Sequence, residues 1–315
     1  MAPRVFITGA TGFVGRHLTR LLREQGGDVS GTCFPEKPCP EEPQIFHVDL
    51  KSGESLSEAL DRVRPEWIIH LAAMSNVRRS WDRRQETLET NLLGTSRLYE
   101  AVRCSHPSAR VLFISSSDVY GVLSPGEKYF RESDPFHAVN PYAYSKIAGE
   151  LLSQFYVQVE KLDIVLARPF PHTGPGQAAD FVFSDWARQI ALIEKGLSEP
   201  VIRVGNLEVR RDYSDVRDVV RAYVRLMDKG RTGEIYNVCS GKAVSLREVL
   251  ETLLAFSSKA IEVREDPAKL RKTDIPFLGG DGSKLRGETG WETEIPLART
   301  LGDLIEYWRS QTFNT

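Results

Sequence analysis

The stretch ITGATGFVG, residues 7–15, constrains the fold of this chain more than any other part of its sequence. The short apolar run RVFIT leads into it and is typical of a buried β-strand, and the apolar residues after it recur at helical spacing. Gly9, Gly12 and Gly15 therefore fall where a strand turns into a helix. Glycines allow a tight turn and a close backbone approach, and the N–H groups at a helix start attract a pyrophosphate. The pattern predicts a dinucleotide-binding turn, although glycines at such a turn can also serve packing alone.

The residues expected to contact a dinucleotide come from this turn and from a later strand end. Those of the turn are Gly9, Thr11, Gly12, Phe13, Val14 and Gly15. Asp49 and Leu50 follow the third predicted strand and are candidate adenine contacts, whereas the alternative for Asp49 is a role in a turn or helix cap. The choice between NADH and NADPH stays open. The second strand ends in SGTCFPEK, which has neither an acidic residue nor an arginine at the usual ribose-reading position.

Strand-like and helix-like segments alternate from the first residues onward, which indicates a parallel sheet with crossover helices. After the first strand, further strands are predicted at residues 29–32, 44–48, 66–71, 110–115 and 163–168. Helices are predicted to cover residues 55–64, 82–104 and 142–161. The predicted fold class is α/β, a Rossmann-type doubly wound parallel sheet with a smaller C-terminal substrate lobe.

The regular alternation ends at the segment ARPFPHTGPGQ, which is rich in proline and glycine and predicts a domain boundary. We assign residues 1–168 and 213–240 to a NAD(P)-binding Rossmann domain. Residues 169–212 and 241–315 are assigned to the substrate lobe. Ligands of such folds bind beyond the strand ends, so the active site is expected in the cleft between the two parts.

Composition argues against several classes of partner. Lys and Arg number 41 against 43 Asp and Glu, a formal net charge of −2, so the basic run at residues 78–84 predicts a solvated helix start rather than a nucleic-acid face. The scattered histidines and four cysteines match no metal-site pattern, and the cysteines are expected to be reduced. No apolar run approaches the ~20 residues of a membrane span, and the N-terminus does not resemble a signal peptide. We expect a cytoplasmic protein that binds no metal, nucleic acid or membrane.

The segment NPYAYSKIAGE, residues 140–150, carries the candidate acid and base. Tyr142 and Lys146 are four residues apart and share one face of a helix, whereas Tyr144 points elsewhere. A free phenol titrates near pH ~10, which is too high for efficient proton transfer at neutrality. A neighbouring ammonium favours the phenolate. Tyr142 is thus the candidate general acid/base, with Lys146 as its electrostatic support and a ribose anchor.

Several motifs, taken in order, resemble those of the extended short-chain dehydrogenase/reductases that act on nucleotide sugars. They are TGATGFVG, HLAA at residues 70–73, NLLGT at residues 91–95, SSSDVYG and YAYSK. Within that group the chain is most similar to the GDP-4-keto-6-deoxy-D-mannose reductases, with the GDP-mannose 4,6-dehydratases close behind. The segments behind this narrower resemblance are RPFPHTGPGQ, VGNLEVRRDYSDVRD, IYNVCSG and LRKTDIP.

The resemblance implies roles at individual positions. Ser116 matches the catalytic hydroxyl that bonds the reacting C4 oxygen of the sugar, beside Tyr142 as proton donor and Lys146 as its partner. NADPH or NADH is the implied cofactor. Its further contacts match Leu71, Ala72, Ala73 and Pro169. His70 and Asp215 are assigned structural roles, as a hydrogen-bonded strand-end histidine and a helix cap.

The substrate contacts implied by the resemblance lie on both sides of the cleft. They are Ser75, Asn76, Val77, Ser117, Asp118, His172, Arg211 and Arg271. The two arginines match groups that grip a diphosphate, which suits their rigid fork of donors. Pro171 departs from the family, which usually has Asn there, and Lys272 stands where relatives often have Pro. The identity of the nucleotide and of the hexose is therefore open.

The predicted reaction is NAD(P)H-dependent reduction of the C4 keto group of a GDP-linked 4-keto-6-deoxyhexose. The alternatives are a GDP-mannose 4,6-dehydratase or a nucleotide-sugar 4-epimerase, and a non-catalytic dinucleotide sensor is a minor one. Asp118 stands where dehydratase relatives carry a glutamate that works at C5 and C6. Aspartate is shorter by one carbon–carbon bond, ~1.5 Å, which favours reduction over dehydration. By analogy with the same family, the protein is expected to form a homodimer.

Overall fold

The structure is a computed structural model that describes residues 3–34, 44–122, 128–269 and 275–313. Its strands are β1 (Arg4–Thr8), β2 (Asp28–Cys33), β3 (Ile45–His47), β4 (Trp67–His70), β5 (Arg110–Ile114), β6 (Tyr129–Phe130), β7 (Ile164–Pro169), β8 (His172–Thr173), β9 (Val201–Val204), β10 (Arg210–Asp212), β11 (Ser214–Asp215), β12 (Ile235–Val238), β13 (Ala243–Ser245), β14 (Glu262–Glu265) and β15 (Phe277–Gly280). Its helices are α1 (Phe13–Glu24), α2 (Gly53–Val63), α3 (Val77–Asp82), α4 (Arg84–Leu88), α5 (Gly94–Ser105), α6 (Pro141–Gln158), α7 (Val182–Glu194), α8 (Val216–Lys229), α9 (Leu246–Ala255), α10 (Ser283–Thr289) and α11 (Leu297–Ser310). A π-helical turn occupies Glu89–Leu93, and 3-10 turns occupy Ser117–Tyr120 and Pro267–Lys269.

Seven strands form a parallel sheet in the order β12-β7-β5-β4-β1-β2-β3. Successive side chains of a strand point to opposite faces of the sheet, so an apolar run such as RVFIT fits a sheet buried on both faces. Val5 and Ile7 of β1 lie in one core cluster with residues of α1 and α8. Phe6, between them, lies in a second cluster with residues of α2 and α5. The predicted Rossmann-type doubly wound sheet is confirmed.

The direction of strand order reverses beside β1, which has β2 on one side and β4 on the other. Open α/β sheets bind ligands in the crevice beyond the C-terminal strand ends at such a point. The glycine turn leaves the sheet there after β1, and the segment HLAA ends β4 at the same edge. The fold therefore places the predicted cofactor turn at the point where such ligands bind.

The C-terminal half contributes a smaller layer against this edge. Four strands form a sheet in the order β13-β10-β15-β6, and α7, α9 and α11 share a separate apolar core. Strand β6, Tyr129–Phe130, belongs to this second sheet through its pairing with β15. The division of the chain into residues 1–168 with 213–240 and 169–212 with 241–315 stays a prediction.

Two predicted helices, at residues 82–104 and 142–161, have different boundaries in the structure. The helix predicted over residues 82–104 is divided into α4, the π-helical turn and α5. Asn91 lies in that turn, and its side-chain amide bonds the backbone of Met74 and the hydroxyl of Ser145, contacts that the chain pattern does not reveal. The helix predicted from residue 142 begins one residue earlier, at Pro141, because Asn140 accepts a bond from the Ala143 N–H and caps it.

Three of the four cysteines, Cys33, Cys104 and Cys239, lie among the described residues. Cys104 and Cys239 carry free thiols, but Cys33 is disulfide-bonded, so the expectation that every cysteine is reduced is wrong for Cys33.

Among the described helices, none is long and apolar enough to cross a membrane. Within the same residues, no three His, Cys, Asp or Glu side chains come together as a metal-binding group. The cytoplasmic location stays a prediction.

Candidate active site

Tyr142 lies in the first turn of α6 and faces the end of β5, where the chain continues into Ser116. The hydroxyl of Ser116 lies beside the Tyr142 phenol and, as a hydrogen-bond partner, lowers its pKa. The same Ser116 oxygen accepts a bond from the N–H of Asp118 at 3.1 Å, which fixes the serine side chain at the start of the 3-10 turn. The two predicted catalytic hydroxyls are therefore neighbours in the structure.

The environment of the Tyr142 phenol keeps it protonated. Burial raises the pKa of Tyr142, and the nearby carboxylate of Asp118 raises it further, whereas the Ser116 hydrogen bond lowers it. Burial disfavours the charged phenolate, and a neighbouring anion does the same. The pKa of Tyr142 is therefore raised, which is the opposite of the lowering expected from the Lys146 ammonium, and the phenol holds its proton at neutral pH.

Lys146 lies one helical turn after Tyr142 and is only 6% exposed. Its ammonium nitrogen donates to the carbonyl oxygen of Ile114 at 2.7 Å and lies 5.9 Å from the centre of the Tyr142 ring. Burial lowers the pKa of Lys146 to about 8, while the carboxylate of Glu150 acts in the opposite direction. The predicted proximity of Tyr142 and Lys146 is present, and the lysine is anchored by β5.

The glycine turn has no room for side chains at two of its three glycines. Gly9 has a φ of +73°, and a Cβ there would lie 3.1 Å from the backbone of Ala72. A Cβ on Gly15 would lie 2.3 Å from the carbonyl oxygen of Gly9 and 2.6 Å from that of Ala10. Helix α1 then begins at Phe13, with Gly12 as its N-cap, so the first N–H groups face a turn without side-chain bulk. This cradle fits the pyrophosphate of a dinucleotide.

The other predicted cofactor contacts lie around the same turn. Thr11 and Val14 are half-buried within it. Leu71 and Ala72 are hydrogen-bonded to Thr8, the last residue of β1. The Leu71 N–H donates to its carbonyl and the Ala72 N–H donates to its hydroxyl. Ala73 follows them toward the cleft, and Pro169 ends β7. The structure thus brings these segments to one edge of the sheet.

The two candidate adenine contacts have local partners. The carboxylate of Asp49 accepts from the N–H of Lys51 at 2.9 Å, so the turn role that was the alternative reading is present. Leu50 is buried, and it packs so closely on Gly94 that a Cβ there would lie 2.9 Å from it. An adenine contact of either residue stays a prediction.

Candidate substrate residues lie on the side of the cleft formed after β4. Asn76 caps α3 by accepting from the N–H of Arg79, and it is flanked by exposed Ser75 and half-buried Val77. The guanidinium of Arg79 bonds the carboxylate of Asp180 at 2.7 Å, which joins α3 to the segment before α7. Ser117 is buried beside Asp118 in the 3-10 turn. The segment after β4 and the C-terminal layer thus meet over the strand ends.

The segment after β7 turns its histidine toward α1. The ring of His172 stacks on the ring of Phe13 with centroids 6.3 Å apart, and its Nδ1 is hydrogen-bonded to the carbonyl of Phe170. Burial lowers the pKa of His172. The carbonyl of Pro171 accepts from the N–H of Ser214. His172 therefore lies at the junction of the cofactor turn and the substrate side.

Arg211 and Arg271 are the two arginines expected to bind a diphosphate. Arg211 lies half-buried on β10, and its Nη1 donates to the carbonyl of Arg210 at 2.9 Å. Arg271 lies outside the described residues. The two structural assignments hold: both ring nitrogens of His70 are hydrogen-bonded, to Thr8 and Thr95, and Asp215 caps α8.

Sequence reasoning missed two side chains that lie against the site. Glu150 on α6 and Arg168 on β7 form a buried ion pair, and the Ser115 hydroxyl donates to Glu150 in a short hydrogen bond. The available signal was weak. It consisted of a glutamate one turn after Lys146 and an arginine near the end of a buried strand.

Comparison with known proteins places this geometry in a family. Residues 6–304 match the family described as GDP-mannose 4,6 dehydratase. The chain belongs to this family. It is 36% identical, over 311 residues and 99% of both chains, to the GDP-6-deoxy-D-mannose reductase of Pseudomonas aeruginosa. The predicted membership of the extended short-chain dehydrogenase/reductases is confirmed.

Two solved structures extend the similarity to the whole fold. RMD from Pseudomonas aeruginosa, complexed with NADPH, superposes with a TM-score of 0.88 at 35% identity, over 98% of this chain and 99% of that one. A UDP-glucose 4-epimerase of Thermus thermophilus, in complex with NAD, superposes with a TM-score of 0.87 at 28% identity, over 98% and 100% of the chains. Relatives with this architecture thus bind nicotinamide dinucleotides and are named for different reactions of nucleotide sugars.

Proposed function

We propose that this chain is a NAD(P)H-dependent reductase of the C4 keto group of a GDP-linked 4-keto-6-deoxyhexose. The observation that carries the proposal is the placement of three groups: Lys146 is anchored to the end of β5 and lies 5.9 Å from the centre of the Tyr142 ring, and Ser116 lies beside the Tyr142 phenol. The similarity to a GDP-6-deoxy-D-mannose reductase over 99% of both chains supports the same reaction. The product is GDP-D-rhamnose or its C4 epimer.

In this mechanism the residues of the chain handle the proton and the developing charge. The reduced nicotinamide, when bound, supplies the hydride. Tyr142 donates its proton to the C4 oxygen as that oxygen gains negative charge, and the hydroxyl of Ser116 bonds the same oxygen. The ammonium of Lys146 stabilises the phenolate that remains on Tyr142. Each of these three groups is buried, so their charges act in a medium that screens them weakly.

The position of Asp118 supports reduction over dehydration. A 4,6-dehydratase needs an acid–base group that reaches C5 and C6 of the sugar, and this chain has aspartate where such relatives carry glutamate. The shorter side chain withdraws the carboxylate by ~1.5 Å, and a misplacement of ~1 Å can cost ~10²-fold in rate. The carboxylate of Asp118 instead acts on the phenol of Tyr142, whose pKa it raises.

Dehydration or C4 epimerisation is the second candidate, since the family as a whole is described as GDP-mannose 4,6 dehydratase. The two outcomes differ in their cofactor balance. A dehydratase or an epimerase returns the hydride to its own product, whereas a reductase consumes NAD(P)H in proportion to substrate.

The cofactor is NADPH or NADH in this proposal, held by the glycine turn of residues 9–15 and by the segment Leu71–Ala73. NADPH is supported by the complex of RMD from Pseudomonas aeruginosa with that molecule. In this proposal the substrate lies against residues 75–77 on one side and Arg211 on the other, and Arg211 binds its diphosphate. Arg271, outside the described residues, is expected to bind the same diphosphate from the family resemblance alone.

A homodimer formed through α6 is part of the proposal. Large apolar side chains lie exposed along one face of this helix and just past its end, at Tyr144, Leu151, Phe155 and Val159. Their spacing of seven, four and four residues keeps them on one face. A contiguous exposed apolar face marks an interaction site. A second copy of the chain, bound about a two-fold axis, would cover the same face on both molecules.

The decisive assay measures NAD(P)H consumption with GDP-4-keto-6-deoxymannose, in parallel with the dTDP- and UDP-linked analogues. We expect consumption equal to the substrate added and a preference for the GDP-linked sugar. Formation of a 4-keto product from GDP-mannose alone, with no net consumption of NAD(P)H, would overturn the reductase in favour of the dehydratase.

A further inference from the structure

A buried ion pair lies directly behind the active site, and the mechanism above does not use it. Arg168, near the end of β7, is 1% exposed, and Glu150 on α6 is fully buried. The Arg168 Nε donates to the Glu150 Oε1 at 2.9 Å, and its Nη2 donates to Oε2 at 2.7 Å. Burying two charges carries a large desolvation penalty, and such pairs often add little net stability. The role of this ion pair is therefore expected to lie in the residues that it holds in position.

The two halves of the ion pair hold the two ends of residues 115–120. At one end, the hydroxyl of Ser115 donates to the Glu150 carboxylate in a short hydrogen bond. At the other end, the hydroxyl of Tyr120 accepts from the Arg168 Nη1 at 2.9 Å and donates to the Asn237 side chain at 2.6 Å. The segment between these anchors carries Ser116 and Asp118, the groups next to the reacting phenol.

The same carboxylate lies one turn beyond Lys146 on α6. The titratable groups that face the Lys146 ammonium are Glu150 and Tyr142 from its own helix and His70 from β4. Burial lowers the pKa of His70 to about 3, so this imidazole is neutral. The anion among these groups is therefore Glu150. Around the pair itself, the side chains of Tyr120 and Phe136 lie against the Arg168 guanidinium, and the backbone carbonyl of Glu132 accepts from it.

We propose that Glu150 and Arg168 are positioning residues of the active site, which clamp residues 115–120 against α6 so that Ser116 meets Tyr142, and that Glu150 keeps the Lys146 ammonium charged. The roles of the three catalytic groups are those of the proposed reductase, so the inference rests on that function. Two geometric facts carry it. One ion pair anchors both ends of the catalytic segment, and its carboxylate stands at the (i, i+4) position from the catalytic lysine.

The variant Glu150→Gln tests both parts, because it keeps the shape and the acceptor for Ser115 but removes the charge. We expect kcat to fall by about 10- to 100-fold, the scale of a slight misplacement of reacting groups. The KM values are expected to stay near those of the wild type. Without the anion, Lys146 loses its proton at lower pH, so the alkaline limb of the kcat profile should move down by about one to three pH units. A wild-type kcat and pH profile would overturn the proposal.

Two further variants separate the clamp from the charge. Glu150→Asp keeps the charge but shortens the side chain, so we expect a lower kcat with the alkaline limb unmoved. Ser115→Ala removes one anchor and no charge, and the same result is expected. If Glu150→Gln does not fold, these two variants still test the clamp. Wild-type kcat in both would then overturn the clamp.

A matched control comes from the substrate side of the molecule. Glu194 and Arg309 form a similar two-pronged ion pair between α7 and α11, at 2.8 and 2.7 Å. Glu194→Gln is expected to lower the Tm and to leave kcat and the pH profile of the folded enzyme unchanged. If Glu150→Gln behaves in the same way, the pair is merely structural and the proposal is wrong.

A readout that needs no substrate separates this inference from the proposed function. Trace acetylation of Lys146 by acetic anhydride, followed by mass spectrometry of its peptide, reports the pH at which this amine loses its proton. We expect the midpoint to be lower in Glu150→Gln than in the wild type. If the wild type reduces no 4-keto sugar but the midpoint still moves, the reductase fails and the effect of Glu150 on Lys146 stands. If the wild type is active and the midpoint does not move, the effect on Lys146 is wrong.

Discussion

The ammonium of Lys146 donates to the carbonyl oxygen of Ile114 at 2.7 Å, which ties helix α6 to the end of strand β5 in the parallel sheet. The next two residues after Ile114 are Ser115, which bonds Glu150, and Ser116, which lies beside Tyr142. Three consecutive residues of one strand end therefore each contact a different residue of α6. The register between β5 and α6 sets the geometry of the active site.

Replacing Tyr142 with Phe is expected to remove most of the turnover. The variant loses the proton donor and keeps the ring, so the fold should survive while kcat falls by about 10²–10⁴-fold. NAD(P)H consumption with the 4-keto sugar measures it. Tyr144→Phe is the matched control, because Tyr144 is 57% exposed on the same helix and should keep wild-type activity. Reduction at wild-type rate by the Tyr142 variant would show that another group supplies the proton.

The rate of reduction should fall as the pH rises through about 8. Burial lowers the pKa of Lys146 to about 8, so its ammonium, which stabilises the Tyr142 phenolate, is present below that pH and lost above it. The phenol itself does not set this limb, because its own pKa is raised. A profile of kcat across the neutral and alkaline range measures the effect. Lys146→Arg keeps a charge throughout and should abolish the limb. A limb that persists there would assign the titration to another group.

Asp118→Asn should leave reduction of the 4-keto sugar largely intact. The carboxylate raises the pKa of Tyr142, so its removal makes the phenol a somewhat stronger acid without removing the donor. We expect kcat within about tenfold of the wild type, since no proton transfer in the proposed reduction passes through this group. The assay is the same, with GDP-mannose as a second substrate to detect any dehydration. Loss of reduction would mean that Asp118 takes a direct part in the reaction.

The shape of the glycine turn and the proximity of Tyr142 and Lys146 were predictable from the sequence because each depends on local spacing. Gly9, Gly12 and Gly15 mark a strand–helix turn wherever they follow an apolar run, and Tyr142 and Lys146 share a helix face by periodicity alone. A turn role for Asp49 was an open alternative to an adenine contact because it also depends only on neighbouring residues. Local pattern thus predicted the sheet and brought together the two candidate catalytic side chains of α6.

The rest of the site depends on contacts between residues far apart in the chain. The partner of Glu150 on helix α6 is Arg168, 18 residues away on strand β7, and Tyr120 bonds Asn237, which is 117 residues away. The π-helical turn at Glu89–Leu93 likewise accompanies hydrogen bonds from Asn91 to residues 17 and 54 positions away. Helical periodicity carries no information about such partners, so the ion pair behind the site and the break in the predicted helix were both missed.

Gly15→Ala should impair both cofactor binding and stability. The added Cβ would lie 2.3 Å from the Gly9 carbonyl oxygen, so the turn must shift away from the helix start that faces the dinucleotide. Overpacking of this kind costs about 1–3 kcal/mol of folding free energy. Fluorescence titration with NADPH and a thermal melt measure the two effects. Gly53→Ala is the control, since nothing lies within 4 Å of a Cβ there. Unchanged NADPH affinity in Gly15→Ala would remove the turn from the cofactor site.

The exposed face of α6 predicts how the protein assembles. Phe155 and Leu151 lie exposed on that face, away from the cluster that packs α6 on the sheet. A glutamate at position 155 would place two like charges near each other across a two-fold interface and leave them desolvated. We expect the wild type to sediment as a dimer and Phe155→Glu as a monomer in analytical ultracentrifugation. Phe256→Glu is the matched control, because Phe256 is also exposed but follows α9 in the other layer, and it should stay dimeric. A wild type that sediments as a monomer at every concentration would leave α6 without the proposed partner.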